Sequence, residues 1–243
     1  FKSFYENEFP ILKKNKLPFS IFISSSYVSN QKSSDYMSWT MLKEISEHNG
    51  LVLNHSKNHE SLLGINDFKL KKEIEENQII IQNKIGIQPK VFSYPYGESD
   101  KKVEEIIKLL DYEIAFSQHS APVHKNQNKY RLPRYSLNDE YGNLKRFKKI
   151  LKSKPLEIYE NSFDDTIVSL GNLQFSFKSV FPSNMINCYV NNSALLEKET
   201  NSGKKVKLYL KNLQVGERYR INCTYIDKQG DIFWYGKMIK REN

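Results

Sequence analysis

The sequence predicts an α/β region followed by an all-β region, and three observations support this. Up to about residue 154, helical periodicity alternates with short apolar runs, which is typical of parallel α/β architectures. Beyond that point, short strand-like runs are separated by polar turns such as QVGE and KQGD. The polar segment KSKPLEIYENS lies between the two patterns, so we expect domains at 1–154 and 155–243.

Composition limits the classes of protein that the chain can belong to. Its 243 residues, 39% of them hydrophobic, are enough for two packed domains. No run approaches the roughly 18 apolar residues of a membrane-spanning helix, so we expect no transmembrane segment in this chain. The net charge is +9, but the lysines are dispersed and no Arg-rich tract is present. This pattern indicates a solvated basic surface rather than a nucleic-acid interface.

The first region reads as alternating helices and strands. Helices are predicted at FYENEFPILKKN, at SWTMLKEISEHNG, over residues 67–86 and over residues 99–111. Strands are predicted within KLPFSIFIS, LVLNHS, VFSYPYG and YEIAFS. We expect Ser38 to cap the second helix and Gly50 to end it.

The second region contains five strand-like runs: TIVSLGNLQFSFKSVF, MINCYVNN, KKVKLYLKNL, ERYRINCTYID and IFWYGKMIK. They predict a sandwich-like β-domain of roughly 80 residues. Cys188 and Cys223 lie in two of these runs. They are either a disulfide formed in an oxidising compartment or two small buried hydrophobic side chains. The aromatic triplet Phe233, Trp234 and Tyr235 forms either a sugar-stacking platform or structural support. Neighbouring residues in a strand face opposite ways, so at least one of these rings belongs in the core.

The stretch NHSKNH places His55 and His59 four residues apart, directly after an apolar strand. Neutral imidazoles suit zinc and similar divalent ions, and a catalytic zinc usually has three protein ligands. The alternative is a pair of surface or capping histidines. The position at a strand end favours a metal site, because chemistry gathers at the carboxyl ends of strands in such folds. SYPYG follows a second strand in the same way.

Three motifs together resemble those of the polysaccharide deacetylases of carbohydrate esterase family 4, which have a NodB-type domain. The motifs are FYENEFPILKKN, HSKNH and FSYPYG, in this order over roughly residues 1–150. The resemblance implies a distorted (β/α) barrel, with its first strand missing or incomplete here, followed by the small β-sandwich domain. It implies His55 and His59 as ligands of a divalent metal, with zinc expected. The third ligand would be an Asp upstream of Phe1, so the chain is expected to be N-terminally truncated. SFDDT at 162–166 is similar to the missing motif but lies near the linker, and we regard it as a look-alike.

The function implied by this resemblance is hydrolysis of N-acetyl groups from an N-acetylhexosamine-containing polysaccharide by a metal-activated water. Tyr94, Pro95 and Tyr96 would bind the substrate, and the backbone N–H of Tyr96 would help to hold the oxyanion. An exported location (periplasmic, cell-surface or secreted) is expected. The alternative is a catalytically inactive deacetylase-like module that binds glycan.

Two departures from the commoner family pattern affect the site. The commoner form of the family's third motif is R-x-P-Y, and Ser93 stands at its Arg position. The form found here, FSYPYG, resembles the branch that includes poly-N-acetylglucosamine deacetylases. Arg134, in YRLPRYSL, resembles an LPR segment of that branch and would supply the missing charge or a structural salt bridge. In much of the family the general acid is a His in an L-x-H motif, and no such motif occurs near the end of the predicted domain. His119, in AFSQHSAPV, is therefore the candidate for the general acid.

Overall fold

The computed structural model describes residues 1–28, 34–139, 141–192, 194–199 and 203–243. It divides into two compact units, Phe1–Phe116 and Ser117–Asn243. The division lies earlier than the predicted boundary after residue 154, because the segment from Ser117 onward is tied to the C-terminal strands. The Arg220 side chain, for example, donates from Nε to the Gln118 carbonyl at 3.0 Å. No helix within these ranges is long and apolar enough to cross a bilayer.

The first unit is an α/β structure with a four-stranded parallel sheet, as predicted. Its strands lie side by side in chain order: β1 Phe19–Ile23, β2 Gly50–Asn54, β3 Val91–Ser93 and β4 Ile114–Phe116. A π-helical turn, Phe4–Glu8, precedes the first of the helices. The helices are α1 Phe9–Lys14, α2 Ser25–Val28, α3 Trp39–Glu47, α4 Asp67–Ile85 and α5 Lys101–Leu109. All four strands end at one edge of the sheet, so the residues that follow them gather there.

Local chemistry fixes the helix ends, with one correction to the predictions. Ser38 caps α3 as expected, and its Oγ accepts from the Met41 N–H at 3.2 Å. Gly50 does not end this helix, because Asn49 takes the left-handed position with φ 65°. Gly50 instead begins β2, where an added Cβ would lie 2.4 Å from Cγ2 of Ile45. Glycine is needed there for the close approach of helix and strand.

The two faces of the parallel sheet have different surroundings. One face packs against helices in a core that includes Phe9, Ile23, Leu42, Val52 and Ile81. Side chains alternate along a strand, so Phe22 projects from the other face. Its ring centroid lies 6.0 Å from that of Phe116 and 6.4 Å from that of His55. The face opposite the helices therefore leads to the residues that follow β2.

The second unit contains one α-helix, α6 Leu144–Lys152, one 3₁₀-helix, Ser183–Met185, and two sheets among its described residues. One sheet has the order β10-β11-β8-β6 and the other β5-β13-β12-β9, with β7 also pairing with β13. The strands are β5 Lys154–Pro155, β6 Ile158–Tyr159, β7 Ile167–Val168, β8 Leu173–Ser179, β9 Asn187–Val190, β10 Leu195–Glu199, β11 Lys205–Lys211, β12 Arg218–Ile226 and β13 Ile232–Arg241. Buried residues of both sheets, such as Phe177 and Ile221, belong to one hydrophobic cluster.

The structure answers two questions that the sequence left open in this unit. Cys188 and Cys223 lie directly opposite each other on β9 and β12 and form a disulfide. Phe233 and Tyr235 pack on the shared core, whereas Trp234 contacts Tyr135 edge-on at a centroid distance of 5.2 Å. The aromatic triplet is therefore divided between two faces and offers no continuous platform.

Candidate metal-binding site at the strand ends

His55 follows β2 directly and is held in a defined orientation. Its backbone N–H donates to the Ile23 carbonyl at 3.0 Å, and its Nδ1 lies 2.6 Å from the Ser93 carbonyl. A carbonyl only accepts hydrogen bonds, so this contact assigns the proton to Nδ1 and leaves the lone pair on Nε2. Metal-ligating histidines are commonly oriented by such a contact.

His59 meets His55 through a tight turn rather than on a helix face. Ser56 and His59 both have left-handed backbone conformations, with φ 62° and 55°. The His59 N–H donates to Ser56 Oγ at 3.2 Å, and the two imidazole centroids are 4.7 Å apart. Burial lowers the pKa of His59. The neutral form, which is the form that binds metal, is therefore favoured.

A fully buried pair of asparagines supports the start of this turn. Asn54 Oδ1 accepts from the Ser56 N–H at 2.9 Å and from Asn77 Nδ2 at 2.7 Å. Asn77 Nδ2 also donates to the Ile23 carbonyl, and its Oδ1 accepts from the Ser25 N–H, both at 2.9 Å. The network joins the ends of β1 and β2 to α4, so it fixes the backbone on both sides of His55.

The middle of the turn is attached to α4 and to the start of α2. Glu73, which is buried, accepts from the side chain of Asn58 and from its backbone N–H. Ser26 Oγ donates to Asn58 Oδ1, and the Lys57 N–H donates to the Glu73 carbonyl at 3.0 Å. These supporting residues are not among the predicted site residues. Asn54 and Asn58 stand within NHSKNH. Glu73 and Asn77 are polar residues on the apolar face of a predicted helix, and that contrast is the signal that could have identified them.

The YPYG turn after β3 corrects part of the predicted substrate surface. Tyr94 is fully buried and packs edge-on against Phe92 at a centroid distance of 5.4 Å, so its face is not available to a sugar. Pro95 is buried as well. Tyr96 is 39% exposed, has φ 58°, and places its ring centroid 4.8 Å from that of His59. Of the three predicted substrate residues, Tyr96 alone presents its side chain to solvent beside the histidines.

The two histidines fit a metal site as a partial set of ligands. Their geometry and the neutral state favoured at His59 are those of imidazole ligands. In the part of the chain that the structure describes, no group of three or more His, Cys, Asp or Glu side chains is close enough to hold a metal ion. A cavity of about 430 Å³ adjoins His59, and its lining also includes Phe22, Tyr27 and Phe1.

The remaining predicted site residues, Arg134 and His119, belong to the second unit. Arg134 donates from Nε to the Ser117 carbonyl at 2.9 Å and from its backbone N–H to the His119 carbonyl at 3.0 Å. The Nε bond gives the Arg134 side chain a structural role in this segment. His119 is 6% exposed, and burial, with the nearby Arg131 and Lys237, lowers its pKa to about 3. Such an imidazole holds no extra proton near neutral pH, which weighs against the predicted general-acid role.

Parts of the chain are similar to known proteins. Residues 2–115 are similar to the sequence model of the polysaccharide deacetylase family. Among curated proteins, it is similar to the poly-beta-1,6-N-acetyl-D-glucosamine N-deacetylase of Staphylococcus aureus, with 28% identity over 150 residues. That match covers 57% of this chain and 52% of the relative. The chain thus spans about half the length of the curated relatives it matches.

Solved structures support the α/β fold. A Streptococcus pyogenes deacetylase, solved in complex with acetate, is 17% identical with a TM-score of 0.53, over 55% of this chain and 58% of that one. A de-N-acetylase from Aggregatibacter actinomycetemcomitans is 16% identical with a TM-score of 0.53, over 62% and 71%.

Proposed function

We propose that this protein is a metal-dependent hydrolase that removes N-acetyl groups from a polysaccharide containing N-acetylhexosamine. The observation that carries the proposal is the paired geometry of His55 and His59. One imidazole is oriented by the Ser93 carbonyl, and the other lies between it and the exposed ring of Tyr96. The deacetylase relatives supply the reaction class, hydrolysis of a carbon–nitrogen bond.

Each residue has a defined part in the proposed chemistry. His55, through Nε2, and His59 would hold a divalent ion, for which zinc is the expected metal. When bound, such an ion supplies Lewis-acid polarisation of the acyl carbonyl and a water of lowered pKa. Tyr96 would place its ring against the sugar, and its backbone N–H would donate to the oxyanion of the tetrahedral intermediate.

The third ligand is proposed to be an aspartate, which is what the resemblance to the deacetylases implies. The described residues bring no such carboxylate to the histidine pair. A carboxylate added to two imidazoles would complete a three-ligand set of the kind common in hydrolytic zinc sites.

The wider architecture is proposed on the same grounds. The parallel sheet would be part of a distorted (β/α) barrel, and the two sheets with one core would form a β-sandwich domain. We propose an exported protein that acts on a cell-surface or secreted polysaccharide. The Cys188–Cys223 disulfide supports this location, because disulfides persist in oxidising compartments.

The test is acetate release from N-acetylglucosamine oligomers by the full-length natural protein. Release should stop when the metal is chelated and return when zinc is restored, and His55→Ala should remove it. His48→Ala is the matched control, because His48 ends α3 and hydrogen-bonds to Glu44 at its own helix end. Acetate release that survives both chelation and His55→Ala would refute the proposal.

A second candidate is an inactive deacetylase-like module that binds glycan. It is favoured by the observation that the described residues hold two rather than three ligands at the turn. It predicts oligomer binding without acetate release, even with zinc present, and binding that is lost when the Tyr96 ring is removed.

A further inference from the structure

The second unit contains a cavity that the deacetylase site does not use. Its volume is about 470 Å³, and it lies between the 117–131 segment, the 155–166 segment and β13. Gly236 allows the first segment to approach β13, because an added Cβ would lie 2.2 Å from the Ser120 carbonyl oxygen. The lining includes Lys237, His119 and Arg131.

Lys237 occupies a position on β13 that usually holds an apolar side chain. It shares the core-facing row with Tyr235 and Ile239 and pairs across the sheet with Ile221. Only 6% of Lys237 is exposed. Its Nζ donates to the Phe163 carbonyl at 2.8 Å and lies 4.9 Å from the centroid of the Phe163 ring. Within the described residues no carboxylate lies within ion-pair distance of this ammonium group, although buried charges are normally paired.

His119 adds a second buried polar group to the lining of this cavity. It is 6% exposed, and its Nδ1 has no hydrogen-bond partner in the described part of the chain. Buried side-chain nitrogens are satisfied in the large majority of cases. Two independent groups therefore line one cavity and retain unused hydrogen-bonding capacity.

The charges around the cavity are arranged by depth. The cations Lys237 and Arg131 are mostly buried, with the Arg131 side chain 12% exposed. The acids lie outward: the side chains of Asp164 and Glu157 are 79% and 58% exposed, and they pair with Arg131 and His124. Asp165, the remaining acid nearby, accepts from the backbone N–H groups of the two residues that follow it.

We propose that this cavity binds an oxyanion, a carboxylate, phosphate or sulfate group, with Lys237 as its principal partner. An anion there would pair the buried ammonium and give His119 a hydrogen-bond partner. Arg131 would add a second cationic donor. The same chemistry serves a free phosphate ion and an acidic sugar, so the probes distinguish the two sources.

The experiment titrates the full chain with inorganic phosphate, glucuronate and neutral N-acetylglucosamine at constant ionic strength, by calorimetry and by thermal unfolding. We expect phosphate or glucuronate to bind and to raise the Tm, and N-acetylglucosamine to leave it unchanged. Binding of glucuronate alone would indicate an acidic sugar, and binding of phosphate would indicate a phosphate group. Binding of neither would overturn the proposal.

Substitutions separate a binding role of Lys237 from a structural role. Lys237→Met should raise the Kd for the anion at least about tenfold while raising the Tm of the ligand-free protein, because a buried unpaired charge is removed. Lys237→Arg should retain binding, and Lys211→Met, at an exposed position on β11, should change neither quantity. In the wild-type protein, NMR should show the His119 imidazole shifting as the anion is added. Anion binding that is unchanged in Lys237→Met, or an unshifted His119, would overturn the proposal.

Discussion

Replacing Asn77 with Leu tests whether the buried asparagine network holds the histidine turn in place. Asn77 is fully buried on α4 and makes three hydrogen bonds, to the Ser25 N–H, the Ile23 carbonyl and Asn54 Oδ1. Leucine has a similar size, so the change removes hydrogen bonds without leaving a large cavity.

The expected loss of stability follows from the hydrogen bonds that each partner of Asn77 retains. The Ile23 carbonyl still accepts from the His55 N–H, and Asn54 Oδ1 still accepts from the Ser56 N–H. The Ser25 N–H loses its Asn77 acceptor inside the protein, which costs about 1–3 kcal/mol, and the other two bonds contribute about 1 kcal/mol each. We therefore expect Asn77→Leu to lower the free energy of unfolding by about 3–5 kcal/mol.

Urea denaturation measures the change in stability, and calorimetric titration with zinc measures the effect on the site. Asn83→Leu is the matched control, because it makes the same substitution at an exposed position of the same helix. We expect Asn77→Leu to weaken zinc binding by about tenfold or more, the range found for residues that orient metal ligands. A loss below about 1 kcal/mol, or zinc affinity equal to that of Asn83→Leu, would refute the reasoning.

Three further predictions concern the histidines and the tyrosine. His55→Ala and His59→Ala should each weaken zinc binding at least about tenfold in a competition titration, whereas His48→Ala should not; equal affinity in all three would contradict the ligand assignment. Tyr96→Gly keeps a residue suited to positive φ and removes the ring. The affinity for glycan oligomers should therefore fall, while the free energy of unfolding measured in urea changes by less than about 1 kcal/mol. Unchanged affinity would exclude the ring from binding. His119 has a folded-state pKa of about 3, below its ordinary 6.5, so the unfolded chain binds the extra proton first, and stability should fall as pH drops from 6.5 toward 3. Denaturation at several pH values should show a shallower fall in His119→Gln, and an equally steep fall would exclude His119 as the cause.

Much of the fold could be predicted because local patterns and tertiary packing agree. The strand–helix alternation, the Ser38 cap and the strands β7–β9 and β11–β13 follow from periodicity and turn chemistry. The strands β5, β6 and β10 lie outside the predicted runs. Glycine is the commonest left-handed residue, so the sequence predicts that Gly50 ends α3. Asn49 takes that conformation instead, and Gly50 is required for packing against Ile45, which no local pattern records.

The candidate site could be predicted in part for a similar reason. His55 and His59 were identified from spacing and position after a strand, and the structure brings their rings together. Burial of Tyr94 was not predicted, because a residue in a turn motif reads as exposed unless the packing behind it is known. The roles of Asn54 and Asn77 depend on a contact between distant segments, so neither residue's local sequence reveals its partner.

The domain boundary illustrates a further limit of local patterns. The linker-like segment KSKPLEIYENS suggested a division after residue 154, but Lys154–Pro155 pairs with β13 and the chain from Ser117 onward packs with the second unit. Composition indicates where a chain is polar, whereas a boundary depends on which segments share contacts.

Zinc K-edge X-ray absorption on the zinc-loaded full-length protein tests the central claim most directly, because it counts the imidazoles bound to the metal. We predict two histidine nitrogens at about 2.0–2.1 Å together with oxygen ligands, and one histidine fewer in His55→Ala. A zinc shell without imidazole, or a shell unchanged by His55→Ala, would contradict the assignment of the His55–His59 turn as the metal site.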